Sequence, residues 1–535
     1  MIDVMIRIGS SIVCACFLCA TTIGMVGAMQ QGGYKNDAFF RWLKRKDNLF
    51  FNRLSVLSLC LFLATAITAL CFSFLGVQIA LIISAVPYMT LLFVFHFSGK
   101  KYALKVPAVR TGRYCRLSGV YAFLVLCVSY AAIALLEFLS VWIDTELYSL
   151  LAYTPFAAMP LVLPFLLCLA NALESVYERI RNGKFVERMG QVLDEKEMIR
   201  VGVVGSYGKT SVKNILATIL STHYDVIATA ESYNTPIGIA KTVALPEFEK
   251  KQVFIAEMGA RKAGDIQELC EMVKPDYAVF TGVCEQHIFT FGDLDSVWAE
   301  KSVILRCGTK KTVCGTGLKT RMDSLSEDVK SRCILIDDAT VKNVRLGAKS
   351  TEFTVVLGVE ELDVKTPLLG RAAVENITLA VTLAKEMGLT VEEIEKGLKT
   401  ITPIPHRLQL LESDGVYILD DGYNCNPVGA KEAIEALGRF EGRKCIVTPG
   451  IVECGILEET INGVLGEEIA RAKFDKVILV GDTLVGAVKD GYVTAGGEID
   501  ALASAQTLED VKGLLAEWTK KGDAVLFLND LPDVY

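Results

Sequence analysis

Apolar residues along this chain of 535 residues follow two regimes. In the first third they form unbroken stretches, and five of these match the roughly 20 residues that a bilayer core demands of a helix: residues 8–29, 54–75, 77–97, 117–142 and 150–173. The second and third stretches abut and predict a tight hairpin. The first lacks a basic start and four more follow it, so it reads as a retained span rather than a signal peptide. Beyond residue 173 the pattern changes. A polar, helical connector over 174–196 leads into short β-branched runs at 201–204, 253–256, 277–281, 416–419, 444–448, 476–480 and 524–528, alternating with helically spaced segments as in α/β domains.

Charge orients the first region. Lys35, Arg41, Lys44, Arg45, Lys46 and Arg53 follow the first span, and Lys100, Lys101, Lys105, Arg110, Arg113 and Arg116 follow the third, which places both loops on the cytoplasmic side. The connection after the second span is uncharged and that after the fourth carries Asp144 and Glu146. Alternation therefore predicts an N-terminus outside and everything after residue 173 in the cytoplasm. Glu137 and His96 are the ionisable residues within spans; both lie near a span end and read as interfacial or snorkelling groups.

Composition adds exclusions. Hydrophobic residues are 52% of the chain but crowd into its first third, the net charge is −7, and there is no basic domain to hold nucleic acid. Of 16 cysteines, Cys14, Cys16, Cys19, Cys60, Cys71, Cys127 and Cys168 sit in apolar runs as small hydrophobes. The Cys16/Cys19 spacing has no second pair beside it and predicts no zinc site. The remainder are scattered without a pairing pattern, as in a reducing cytoplasm.

The chemistry begins at Ile199. In IRVGVVGSYGKTSVKNILATIL a strand (201–204) enters a turn (205–209) and a helix (211–220). Gly205, Ser206, Tyr207, Gly208, Lys209, Thr210 and Ser211 form a short GxxGK[ST] loop: glycines let backbone N–H groups close on phosphates, Lys209 reaches the terminal phosphates, and the Thr210 hydroxyl suits Mg²⁺. The longer loop pattern places a glycine where this chain has Val203.

This segment resembles the ATP loop of the Mur ligases, and the resemblance continues along the rest of the chain. In FIAEMGA a strand ends on Glu257, and GVCEQHIFTFGDLDSVWAEKSVIL carries His287 in a loop and Lys301 on a helix. Taken singly, these residues read equally as a helix cap, a loop residue and a solvated helical lysine. The resemblance implies that Glu257 and His287 help bind metal and that Lys301 is converted to a carbamate, an anionic oxygen ligand for a second Mg²⁺. Asn234, in AESYNTPIG, matches the family's substrate-side loop and reads equally as an ordinary turn. Asn376, in LLGRAAVENITLAVTLA, matches the adenine-side asparagine, although Ala372 and Ala373 stand where the family commonly has His-Asn. In PIPHRLQLLESDGVYILDDGYNCNP, Arg407 would reach the γ-phosphate while Asp421, Asn424 and Asn426 would line the nucleotide; Gly422 and Cys425 replace the usual Ser and Ala.

The resemblance implies an α-helical transmembrane bundle followed by two α/β domains, a P-loop Mur-type central ATPase domain and a Rossmann-like C-terminal domain. The expected division is 1–175 (spans), 176–198 (connector), 199–402 (central domain) and 403–535 (C-terminal domain). It implies ATP- and Mg²⁺-dependent amide formation through an acyl phosphate, joining D-alanyl-D-alanine or another amino donor to a muropeptide precursor. The family's uridine-diphosphate recognition domain is replaced here by spans, so the lipid bilayer is an expected partner and either a soluble or a lipid-linked precursor an expected substrate. An ATP-driven transporter, a ligase of the family with another acceptor and a catalytically dead scaffold are the rival readings.

Overall fold

The computed structural model describes residues 2–44, 50–72, 86–87, 89–94, 107–140, 154–284, 291, 293–423, 425–452, 454, 457–481 and 484–529. Two compact units divide the chain, the first reaching Arg181 and the second spanning Asn182–Leu531.

The first unit is helical: α1 (Ile2–Gln31), α2 (Asn36–Lys44), α3 (Phe50–Phe72), α4 (Gly112–Ser140) and the start of α5 (Thr154–Glu195). Among the described residues three segments are long and apolar enough to cross a membrane, Ser11–Gln31, Gly112–Leu135 and Ala158–Glu195, and Arg53–Ala64 is a shorter apolar stretch. They correspond to the first, fourth, fifth and second expected spans. Of the expected span at 77–97, residues 86–87 and 89–94 are described; His96 lies outside the described residues, as does the Glu137 side chain. Inside the apolar core the Thr22 and Tyr121 hydroxyls, 2.8 Å apart, join α1 to α4. At the ends of these helices the buried Glu174 carboxylate pairs with Arg113 (2.9 Å) and Arg116 (3.3 Å). α2 is amphipathic; it buries Ala38, Phe39 and Leu43.

In the second unit, β1 (Ile199–Val204), β2 (Val226–Ala228), β3 (Val253–Glu257), β4 (Tyr277–Phe280), β5 (Lys311–Cys314) and β6 (Cys333–Leu335) form a parallel sheet in the order β2-β3-β1-β4-β5-β6. Val201, Val203 and Val204 of β1 are fully buried, as expected of a strand covered on both faces. One face packs on α6 (Lys209–Leu220), α10 (Gly370–Glu386) and α11 (Val391–Leu398), through Ile215, Leu216, Ile219, Ile377 and Ile394. The other packs on α7 (Pro236–Val243), α8 (Asp265–Val273) and α9 (Leu294–Lys301), and takes Met189 and Leu193 from the end of α5. The boundary between the units therefore falls inside one continuous helix. An antiparallel sheet of β7 (Val341–Leu346), β8 (Thr351–Leu357) and β9 (Glu360–Thr366) joins the first core through Phe353, Val355, Leu362 and Val364.

The last sheet contains β10 (Gln409–Ser413), β11 (Val416–Asp421), β12 (Lys444–Thr448), β13 (Lys476–Val480), β14 (Leu502–Ala505) and β15 (Ala524–Leu528), ordered β10-β11-β15-β12-β13-β14. Only the β10–β11 hairpin is antiparallel. Its turn uses Asp414 and Gly415 at φ 52° and 81°, as an Asp-Gly turn requires. Helix α12 (Pro427–Gly438) follows β11, starting at a proline, where the missing N–H costs nothing.

Candidate active site

Strand order places the chemistry. β1 lies between β3 and β4, so the order in which strands are added reverses beside it, and the loops leaving the carboxyl ends of all three parallel strands converge. Val203 is level with Glu257 and Val204 with Phe280.

The loop after β1 is built around two glycines with φ of 155° and 72°. A side chain at Gly205 would run into Thr281 Oγ1, and one at Gly208 would come within 2.5 Å of Asn376 Oδ1. Gly208 caps α6 without a side-chain hydrogen bond, leaving the first N–H groups of the helix available to an anion. The buried Ser206 hydroxyl has no protein partner. Lys209 Nζ donates to the Gly205 carbonyl at 2.8 Å and Lys301 Nζ to the same oxygen at 2.9 Å. Burial pushes the Lys209 ammonium below its usual range; Glu257 opposes that shift and Arg407 adds to it. For Lys301, burial and then the Lys209 charge lower the pKa to about 7.

Glu257, at the end of β3, accepts from Thr210 Oγ1 at 2.9 Å on one oxygen and from Asn234 Nδ2 at 3.2 Å on the other. Lys213 Nζ lies 3.3 Å from the oxygen that Thr210 uses, and both members of this ion pair are buried. The carboxylate and the hydroxyl are hard oxygen donors of the kind Mg²⁺ prefers, side by side at the phosphate loop. The uncapped helix, the glycine turn and buried lysines fit a polyphosphate. These residues therefore suit ATP and Mg²⁺.

The C-terminal domain contributes the opposite wall. Arg407 sits between His406 and Leu408, both non-glycine residues at positive φ (60° and 47°), a conformation that persists only when neighbours impose it. His406 Nδ1 pairs with Asp420 at 2.8 Å, and Leu408 N–H donates to Asp421 at 3.0 Å. Burial raises the Asp421 carboxyl to about 6, against the pull of the Leu408 amide and Arg407. Tyr423 stacks under the Arg407 guanidinium at 4.4 Å, and its hydroxyl hydrogen-bonds Ser232 at 2.7 Å, reaching the loop that carries Asn234.

The structure thus brings Lys209, Thr210, Glu257, Asn234 and Lys301 around one turn, with Asn376 against it. Lys301 is buried rather than solvated. Asn426 uses its side-chain oxygen to cap α12, accepting from Gly429 N–H at 2.9 Å. His287 and Asn424 lie outside the described residues.

Sequence reading passed over Lys213, Thr281, Glu375, Ser232 and Tyr423. Lys213 carried a signal: it falls among Val212, Ile215 and Leu216 on the inward face of α6, one turn beyond Lys209. Glu375 Oε1 accepts from the Thr316 amide (3.0 Å) and hydroxyl (2.9 Å), and burial pushes its carboxyl up.

A parallel sheet with a glycine-rich phosphate loop at its switch point, followed by a second α/β domain that presents an arginine to it, defines a P-loop nucleotide-dependent enzyme. Comparison with known proteins narrows the class. Residues 203–384 match the Mur ligase middle domain. The UDP-N-acetylmuramoyl-tripeptide–D-alanyl-D-alanine ligase of Bacillus subtilis is 30% identical over 337 residues, covering 61% of this chain and 72% of the relative. The Escherichia coli ligase of the same name is 30% identical over 295 residues, 52% of this chain and 64% of its own length, just under two thirds. Among solved structures, MurF of Thermotoga maritima in complex with ADP superposes with a TM-score of 0.57 at 24% identity, covering 66% of this chain and 81% of that one. MurF from Acinetobacter baumannii gives 0.57 at 23%, covering 66% and 77%. The chain belongs to the Mur ligase family, and it is an ATP-dependent, ADP-forming ligase.

Proposed function

We propose that this enzyme joins D-alanyl-D-alanine to a muramoyl-tripeptide precursor of peptidoglycan at the inner face of a membrane. The observation that carries the reading is the junction at Glu257, where the metal-type donors (Glu257, Thr210), the phosphate loop and the Asn234 loop meet through direct hydrogen bonds. The sequence likeness to the UDP-N-acetylmuramoyl-tripeptide–D-alanyl-D-alanine ligases supports the choice of substrates.

In this reading the acceptor carboxylate takes the γ-phosphoryl group of ATP, giving an acyl phosphate and ADP; the donor amine then displaces phosphate and leaves an amide. Mg²⁺ would supply charge neutralisation on the phosphates, held by Thr210 and Glu257 and, in the family pattern, by His287 and a carbamate on Lys301. Phosphoryl transfer asks the protein for position and charge. Lys209 and the α6 N-terminus cradle the phosphates, Arg407 reaches the terminal phosphate, and Asn376 braces the loop at Gly208. Asp421 shapes the Arg407 turn, Asn234 orients the acceptor, and in the family pattern Asn424 would contact the nucleotide. A carbamate requires an unprotonated amine, and a Lys301 pKa of about 7 provides a large neutral fraction at neutral pH.

The apolar helices anchor the enzyme as a multi-pass protein with its N-terminus outside and residues 176–535 in the cytoplasm, where ATP is found. With apolar helices ahead of the central domain, a lipid-linked muropeptide is as natural a substrate as the soluble nucleotide. Mass spectrometry of reactions containing ATP, Mg²⁺, D-alanyl-D-alanine and either UDP-muramoyl-tripeptide or its lipid-linked counterpart tests this. A product heavier by one D-alanyl-D-alanine residue pair is expected; ATP turnover without either product would sink the assignment.

A further inference from the structure

Lys213 is completely buried in the middle of the site. Its ammonium is 3.3 Å from Glu257 Oε2 and also donates to the Glu231 carbonyl, in the loop that carries Asn234. Glu231 is itself held at positive φ (42°). The Glu257 carboxylate is thus fully engaged: Oε1 by Asn234, Oε2 by Thr210 and Lys213. A buried carboxylate is costly to keep ionised without a counter-charge, and Lys213 supplies one.

The surrounding charges carry the argument further. Lys209 and Lys213 are buried cations here, Lys301 shares the Gly205 carbonyl with Lys209, and the Arg407 charge acts on both Lys209 and Lys213. Carboxylates face them: Glu257 acts on Lys209 and Lys213, Glu231 on Lys213 and the buried Glu300 on Lys301. A divalent cation that approaches Glu257 alone must displace the Lys213 ammonium from it, whereas a nucleoside triphosphate brings negative charges that attract metal and ammonium together.

We propose that Lys213 is a positioning residue that acts as the resident counter-cation of Glu257, aiming the carboxylate and competing with free Mg²⁺ for it, so that metal enters only with nucleotide phosphate. The proposal rests on the metal-site reading of Glu257 given above. It assigns Lys213 no contact with substrate; the residue acts through Glu257 and, by way of Glu231, through the Asn234 loop.

The test is Mn²⁺ binding to the full-length, detergent-purified protein, followed by the electron paramagnetic resonance signal of free Mn²⁺, with and without ADP. Wild type is expected to bind Mn²⁺ at least about tenfold more tightly with ADP than without. Lys213→Met, which keeps the length of the side chain and removes its charge, is expected to tighten nucleotide-free Mn²⁺ binding at least about tenfold, while Lys213→Arg stays near wild type. Wild type binding Mn²⁺ equally well without ADP overturns the proposal even if Lys213→Met does not fold, as does a folded Lys213→Met with unchanged nucleotide-free affinity. Glu257→Gln separates the two levels: if it leaves Mn²⁺ binding with ADP intact, the metal-site reading fails, whatever Lys213 does.

Discussion

Lys209 and Lys301 donate to one acceptor, the Gly205 carbonyl, at 2.8 and 2.9 Å. Burial first, and then the repulsion between two ammonium groups on a single oxygen, depress the pKa of Lys301. The arrangement suits a site awaiting polyphosphate, whose oxygens would replace a single carbonyl as the partner of both.

This predicts a pH dependence of stability. Below about pH 7 Lys301 is charged in both folded and unfolded states, and folding bears the full cost of burying it. Between about 7 and the ordinary value of 10.5 the unfolded chain binds more protons than the folded one, so this contribution to stability rises with pH. Lys301→Met removes the cost. Its melting temperature in carbonate-free buffer should exceed that of wild type at pH 6.5, with the gap narrowing as pH rises towards 10, while its ligase activity is lost. A gap independent of pH would contradict the depressed pKa.

Gly208→Ala places a methyl group in the left-handed region, 2.5 Å from Asn376 Oδ1. Strain of roughly 1–3 kcal/mol is expected, borne where phosphate must bind. ATP affinity should fall by about tenfold or more, since 1.4 kcal/mol corresponds to a factor of ten, with the circular dichroism spectrum unchanged. Calorimetric titration with a non-hydrolysable ATP analogue measures it.

The Tyr423 hydroxyl bonds Ser232, and its ring supports Arg407. Tyr423→Phe loses one hydrogen bond, worth about 0.5–1.5 kcal/mol, so kcat/KM should drop about two- to tenfold. Tyr423→Ala also loses the cation–π contact, about 0.5–1 kcal/mol more, and should drop further. Because the hydroxyl acts through Ser232, adding Ser232→Ala to Tyr423→Phe should cost nothing extra; additive losses would show that the two do not communicate.

In the helical unit, Glu174 is the buried carboxylate shared by Arg113 and Arg116. The arginines are about one-third exposed, which softens the penalty for losing it. Glu174→Gln should cost about 1–3 kcal/mol and lower the melting temperature in detergent, while phosphate release per folded molecule is unchanged. An unaltered melting curve would mean that the cluster does not hold these helices together.

Local patterns were legible in the sequence. The strands at 444–448, 476–480 and 524–528 were read to the residue because short β-branched runs bounded by turns have few alternatives. The phosphate loop was equally plain, since glycines, Lys209 and Thr210 stand within six positions between a strand and a helix. What escaped depends on tertiary placement. Lys213 looks like a solvated helical lysine until α6 turns it inward beside Glu257. Tyr423 and Ser232 are 191 positions apart, and nothing local to either announces their meeting. Asn426 also caps the helix that it opens, as Asn before Pro commonly does.

The central claim is that phosphate transfer at this loop is coupled to amide formation between two specific partners. The most direct measurement is ADP release by the purified full-length enzyme with ATP and Mg²⁺, adding D-alanyl-D-alanine, the muramoyl-tripeptide precursor, or both. ADP release should require both partners, together yield one amide per ADP, and fall about a hundred- to a thousandfold in Lys209→Ala, as losing a buried electrostatic stabiliser implies. Release that proceeds at full rate without either partner, or survives Lys209→Ala, would contradict it.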